Sequence, residues 1–199
     1  MYFVCSDLEG VYVPEMWVEI AKATDIPELK LTTRDIPDYK RLMQNRLQLL
    51  RENNLKLHDL QEIIAKVQPF DGAQEFLQWL RQRTQVVIVT DTFSQFAQCL
   101  NSLNLPTVFC NSLVVDKQGY ITGYNNHLSK GKGNIAKQIA SLNYKTIAMG
   151  DSYNDISMLK EAEFGILFSP PKKVTDEFPQ YPVCHNFSEL KQRLSEFLD

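Results

Sequence analysis

The chain has 199 residues, 44% of them hydrophobic and 23% charged, enough for one ordinary domain with a proper core or a modest domain carrying an insertion, and too apolar to be disordered. Its 24 acidic and 21 basic residues are interleaved and leave a formal charge of −3, so no nucleic-acid footprint is expected. The longest aliphatic run, Val86-Val87-Ile88-Val89, is far short of the ~20 apolar residues that cross a bilayer; the first residues carry no secretory pattern, and a cytosolic location is the expectation.

From the amino end, Tyr2 to Ser6 reads as a short buried strand, broken by Asp7-Leu8-Glu9-Gly10. From Val13 to about Val67 helical patterns follow one another with no strand between them, as in an inserted helical bundle. Within it, Asp38 to Asn53 sets Tyr39, Leu42, Met43 and Leu50 on one helical face, and Arg46 falls in the same stripe, a charge pointing where a core should be. Ala73 to Arg83 predicts a helix, Val86 to Thr90 a strand, and Ser94 to Leu103 a helix. Thr107 to Phe109 predicts a strand; Leu113 to Val115 and Tyr120 to Thr122, around Asp116-Lys117-Gln118-Gly119, predict a small β-hairpin. Then come a helix over Lys132 to Leu142, a strand over Thr146 to Gly150, a helix over Asp155 to Ala162 and a strand over Phe164 to Phe168, with Ser169-Pro170-Pro171 as a local turn. Strands alternating with helices argue for an α/β fold with a Rossmann-like parallel sheet covered on both faces. The cysteines Cys5, Cys99, Cys110 and Cys184 are irregularly spaced and have only three histidines beside them, which suggests neither a zinc site nor a disulfide framework.

In such a sheet, chemistry collects at the carboxyl ends of the strands. Asp7 and Glu9 follow the first strand, Thr90 ends the second, Asp151, Asn154 and Asp155 follow a third, and Lys132 opens the helix before it. Taken singly these residues have ordinary readings: a turn, a strand end, a solvated lysine, a helix cap. Together they gather carboxylates that would repel one another by about a few kcal/mol per pair at close range, which calls for a cation. An all-oxygen ligand set favours a hard ion, Mg²⁺. A carboxylate nucleophile, a hydroxyl and a lysine beside that ion are equipment for phosphoryl transfer.

These segments, in this order, resemble the haloacid dehalogenase superfamily of aspartyl-phosphate enzymes. Asp7-Leu8-Glu9-Gly10-Val11 matches its first motif with Glu9 in place of the usual second aspartate, Thr90 its second, Lys132 its third, and Gly150-Asp151-Ser152-Tyr153-Asn154-Asp155 its acidic fourth. The glutamate, together with Tyr12-Val13-Pro14-Glu15, Thr32-Thr33-Arg34-Asp35-Ile36-Pro37-Asp38-Tyr39 and Asp91-Thr92-Phe93, resembles the bifunctional phosphoserine phosphatase/homoserine phosphotransferase subfamily.

The resemblance implies a core of residues 1–12 and 70–199 with a helical cap at 13–69, and possible homodimer formation. Asp7 would be the nucleophile and Glu9 the proton donor and acceptor. Mg²⁺ would be held by Asp7, Asp151 and an oxygen of Glu9, from side chain or backbone, with Asp155 orienting the site from behind. Thr90, Lys132 and Asn154 would bind phosphoryl oxygens or substrate. Arg46 would clamp the substrate carboxylate, or else form an internal salt bridge; Glu15 would meet the ammonium, or merely begin a helix after Pro14; Asp91 would bond substrate through its backbone or reshape the pocket. The expected substrates are phosphoserine and homoserine. A phosphatase for another small metabolite and a non-catalytic phosphate-sensing module stand as alternatives.

Overall fold

The computed structural model describes residues 1–33, 35–36 and 38–198. Strand β1, Tyr2–Ser6, lies in the middle of the molecule, and the chain leaves it for a helical insert: α1 (Met16–Thr24), a 3-10 turn at Pro27–Lys30, α2 (Tyr39–Glu52) and α3 (Leu57–Ile64). Asp38 caps α2 by accepting from the Lys40 and Arg41 amides. The stripe on α2 buries Leu42, Met43, Arg46 and Leu50 as the periodicity predicts.

The chain then returns to the sheet through α4 (Ala73–Arg81), β2 (Gln85–Phe93) and α5 (Ser94–Ala97). After these come β3 (Thr107–Val115), β4 (Ile121–Asn125), α6 (Lys132–Ser141), β5 (Lys145–Gly150), α7 (Ile156–Glu161) and β6 (Phe164–Phe168). The chain closes with α8 (Lys172–Glu177), β7 (Val183–Cys184) and α9 (Phe187–Leu198). Seven strands form one sheet in the order β4-β3-β2-β1-β5-β6-β7, parallel except for β4, which turns back on β3 as a hairpin.

The unbroken apolar runs in β1, β2 and β5 follow from burial of both faces. Alternate residues divide between two cores. Val4, Val86, Ile88, Ile147 and Met149 face one side, packed with the insert, α4 and α9. Cys5, Val87, Val89 and Ala148 face the other, packed with α6 and α7. With these strands pinned side by side, their carboxyl ends open at one edge of the sheet.

Three differences from the sequence reading have local causes. The helix expected over 94–103 stops after Ala97 and resumes only as a 3-10 turn at Asn101–Leu103. Here Gln95 is spent on β3, its side chain accepting from the Leu113 amide and donating to the Leu113 carbonyl, while Leu100 and Leu103 turn inward. The short strand and the first hairpin arm are one strand, β3, because polar Asn111 in its middle is 2% exposed and fully used. Its amide donates to the Asp91 carbonyl at 3.0 Å and its oxygen accepts from the His127 amide at 3.0 Å. Beyond Pro171, α8, β7 and α9 were not anticipated; α9 is held by Phe187, whose ring stacks on Phe76 at 5.0 Å and Phe168 at 4.9 Å.

The insert also meets the sheet at the hairpin. The Leu57 amide donates to the Gly119 carbonyl at 2.9 Å, and the Tyr120 hydroxyl donates to Asn54. The Arg51 guanidinium lies 3.9 Å over the Tyr120 ring and 3.8 Å from Asp116, and Tyr39 meets Tyr124 edge-on at 5.5 Å. Among the described residues no helix is long and apolar enough to cross a membrane.

Candidate active site

Asp7 is the first residue past β1. Its amide still donates to the Met149 carbonyl at 2.9 Å, so the strand delivers its carboxylate at a fixed height. One oxygen accepts from the Leu8 amide at 2.7 Å and the other lies 2.9 Å from the Lys132 ammonium. Lys132, 3% exposed, starts α6 after Gly131 and also reaches Asp155 at 2.8 Å and Asp91 at 3.7 Å. Burial opposes its charge, but the carboxylates of Asp155, Asp7 and Asp91 more than offset this and hold it well above the ordinary lysine range.

The loop after β5 is closed from within by Asp155. This carboxylate is fully buried, and one oxygen accepts from the amides of Asp151 (3.0 Å) and Ser152 (3.1 Å) while the other holds Lys132. A Cβ on Gly150 would stand 2.3 Å from the Asp155 side chain, so the turn needs glycine there. Opposite, Gly10 has φ +79° and a Cβ on it would stand 2.4 Å from the Asp151 carboxyl carbon. The absence of a Cβ here leaves room for the Asp151 carboxylate against the loop after β1. The outcome is a group of three carboxylates, Asp7, Asp151 and Asp155, with oxygens within 4.8 Å of one another. Burial, then repulsion from Asp155, raises Asp7 well above its usual range in spite of Lys132; burial and Asp155 push Asp151 up to about 7. Such a site is short of positive charge and offers only oxygen donors, which fits a hard divalent cation.

The carboxylate of Glu9 is not in that group. It accepts from the Met16 amide at 3.1 Å, at the start of α1, beside Glu15. Burial, followed by the charge of Glu15 and a hydrogen bond with it, pushes Glu9 up to about 8.

Thr90 and Asp91 sit where β2 slips register against β3 between Val89 and Phe93. Thr90 is buried and accepts from the Thr92 amide at 3.4 Å; the Asp91 side chain is 45% exposed, its carbonyl tethered by Asn111. Arg46 comes from the insert. It is 6% exposed, stacks 4.4 Å over the Trp17 ring and donates to the Leu31 carbonyl at 2.7 Å, while its Nε is buried with no hydrogen-bond partner. Burial lowers it to about 10, with Tyr39, Glu9 and Glu15 acting in the opposite sense. None of its described contacts is an internal salt bridge.

A single crevice of about 350 Å³ joins Asp7, Glu9, Glu15, Arg46, Thr90, Asp91, Lys132, Asp151 and Asn154, with Asp155 buried beneath it. Arg34 and Pro37 of the Thr32-to-Tyr39 segment lie outside the described residues. Trp17, Tyr39 and Tyr153 also line the crevice and were not expected there. Tyr39 has a core residue's spacing on α2; its place seven residues, two helical turns, before Arg46 puts it on the same face and is the signal for its position here.

A family model described as haloacid dehalogenase-like hydrolase matches residues 9–163. Phosphoserine phosphatase ThrH of Pseudomonas aeruginosa is 49% identical over 199 residues, covering 100% of this chain and 96% of that protein. A phosphoserine phosphatase of Pseudomonas syringae pv. tomato is 49% identical over 189 residues, covering 94% of this chain and 80% of its own. Among solved structures, phosphoserine phosphatase in its apo form superimposes with a TM-score of 0.76 at 24% identity, covering 100% of this chain and 98% of the other.

Proposed function

The chain belongs to the haloacid dehalogenase-like hydrolase family, in its phosphoserine phosphatase branch, and we propose that it removes the phosphoryl group of phosphoserine through Asp7 and can hand that group to homoserine. One observation carries this reading. A single crevice sets a lysine-paired carboxylate, Asp7, against a buried arginine with an unused donor, Arg46, and has the acidic Glu15 on its wall. That is the complement of a phosphate ester borne by an α-amino acid: a phosphoryl group, a carboxylate and an ammonium.

In the first step an Asp7 oxygen attacks phosphorus, the bond from phosphorus to the serine oxygen breaks, and the Glu9 proton goes to that oxygen. Glu9 is suited to this because burial and the neighbouring Glu15 push its carboxyl up to about 8, which favours the protonated form at neutral pH. In the second step an incoming hydroxyl, of water or of homoserine, attacks the aspartyl phosphate and returns a proton to Glu9. The Asp7 carboxylate is regenerated, and phosphate or phosphohomoserine leaves. Thr90 and Lys132 hold the phosphoryl oxygens, and Asp155 keeps Lys132 aimed at them. Arg46 holds the substrate carboxylate, Glu15 its ammonium, and Asn154 lies on the wall beside them.

Asp7 and Asp151 would hold Mg²⁺, with residue nine contributing its backbone oxygen, since the Glu9 carboxylate lies outside the group formed by Asp7, Asp151 and Asp155. When bound, the ion supplies the positive charge that lets both aspartates stay ionised beside a phosphate. Residues 13–69 would act as a cap that decides which hydroxyl lies in line with phosphorus.

Incubation with labelled phosphoserine and homoserine tests the assignment. Labelled phosphohomoserine is expected; labelled inorganic phosphate as the sole product would reduce the enzyme to a hydrolase. Asp7→Asn should release no phosphate, and substantial residual turnover would remove Asp7 as nucleophile.

A further inference from the structure

Phosphate sites are ordinarily built of donors and cations, yet a half-exposed carboxylate stands in this one. The Asp91 side chain is 45% exposed, lines the crevice, and comes within 3.7 Å of the Lys132 ammonium without making a hydrogen bond to it. Its position is not slack. The Asp91 carbonyl is tied to the Asn111 side chain at 3.0 Å, and Asn111 is itself buried and fixed by His127. Among the described residues, four carboxylates, Asp7, Asp91, Asp151 and Asp155, stand around the phosphoryl position with one ammonium, Lys132. A divalent cation still leaves that balance one charge negative. Lys132 is already satisfied by Asp7 at 2.9 Å and Asp155 at 2.8 Å, so Asp91 is not needed to hold it.

We propose that Asp91 weakens the phosphoryl site for every phosphate alike, so that the groove alone holds phosphate poorly and a ligand needs further anchors to stay. This rests on the reading of the crevice given above. A phospho-amino acid reaches Arg46 and Glu15 as well as the phosphoryl groove, and those contacts outweigh the repulsion. Inorganic phosphate and plain phosphate monoesters have the groove alone and are held loosely. Product phosphate consequently leaves quickly. The effect is direct Coulomb repulsion across a wet crevice. One unit charge a few ångströms from a dianion at a water-like dielectric changes affinity by about tenfold.

The experiment uses Asp91→Asn, which keeps the shape and removes the charge, and Asp91→Glu, which restores the charge. Inorganic phosphate is the probe, read both as its inhibition constant against phosphoserine turnover and by calorimetric titration of the Mg²⁺-loaded protein. Phosphate is expected to bind Asp91→Asn about tenfold more tightly than wild type, with Asp91→Glu close to wild type and the difference shrinking as salt rises. KM for p-nitrophenyl phosphate and KM for phosphoserine should fall in Asp91→Asn by similar factors, since the repulsion acts on the phosphoryl group they share. A gain in affinity is something that damage to the fold does not produce. Unchanged or weaker phosphate binding in Asp91→Asn overturns the proposal. If wild type fails to turn over phosphoserine, the proposed function falls, and the calorimetric titration still decides the role of Asp91.

Discussion

Lys132→Met removes the ammonium at the centre of the site and leaves a side chain of similar length. Lys132 is 3% exposed, and the carboxylates it touches at 2.8 and 2.9 Å, Asp155 and Asp7, are themselves buried. Stripping the cation from such a cluster leaves uncompensated buried charge, which costs about 3–5 kcal/mol, a large part of the ~5–15 kcal/mol that holds a domain folded. With a urea m-value of about 2 kcal/mol per molar, the unfolding midpoint should fall by about 2 M. The size of the loss depends on pH with a definite sign. Asp7 is already raised by burial and by Asp155, and Lys132 is the cation that opposes that rise. A carboxylate whose folded pKa is raised stabilises the fold in acid and loses that contribution as pH climbs through the folded value. The deficit should therefore be largest at about pH 8 and shrink toward about pH 5. Urea titrations followed by circular dichroism, in EDTA at both pH values, measure it. A midpoint shift under about 0.5 M at the higher pH, or one that is the same at both, would refute the electrostatic account of this cluster.

Other outcomes follow from neighbouring features. Gly10→Ala puts a Cβ 2.4 Å from the Asp151 carboxyl carbon at φ +79°, so Asp151 must retreat; Mg²⁺ affinity by calorimetry should drop about 10- to 100-fold, and an unaltered affinity contradicts the placement of the ion. Arg46→Lys should raise KM for phosphoserine about 10- to 100-fold and KM for phosphoethanolamine, which lacks the carboxylate, far less. Asp151 is pushed up to about 7 from an ordinary 3.8 by burial first and Asp155 second. In EDTA the wild-type melting temperature should thus rise as pH falls from about 7 toward about 4, and added Mg²⁺ should weaken or reverse that slope. A melting temperature that instead falls steadily over this range contradicts the raised Asp151.

The phosphoryl end of the crevice was legible because it is written locally. Asp7, Thr90, Lys132 and Asp151 each sit at the end of an apolar run or the start of a helix, and sheet geometry brings such ends together. Arg46 betrayed itself as a charge in an apolar stripe. What escaped reading depends on contacts distant in sequence. The partner of Asn111 is the Asp91 carbonyl, 20 residues away, so a buried asparagine looked like a break in a strand. Tyr39 and Trp17 carry ordinary core signatures, and only the fold, which stacks Arg46 on Trp17 and opens a crevice beside both, shows them as crevice wall. The α9 stripe, Phe187, Leu190 and Leu194, was readable from spacing alone, but its docking surface of Phe76 and Phe168 was not.

The grip of the hairpin turn on the insert bears on how ligands get in and out. Besides its two chain connections, the insert is held to the rest of the molecule by the Leu57 to Gly119 hydrogen bond, by the packing of Arg51 and Asn54 around Tyr120, and by the Gln61 side chain, which donates to the Gln95 carbonyl at 3.0 Å. A body fastened at several separate points does not swing as a door does on two. A rigid swing of the insert away from Asp7 would have to release Tyr120, a residue of a turn that lines no part of the crevice.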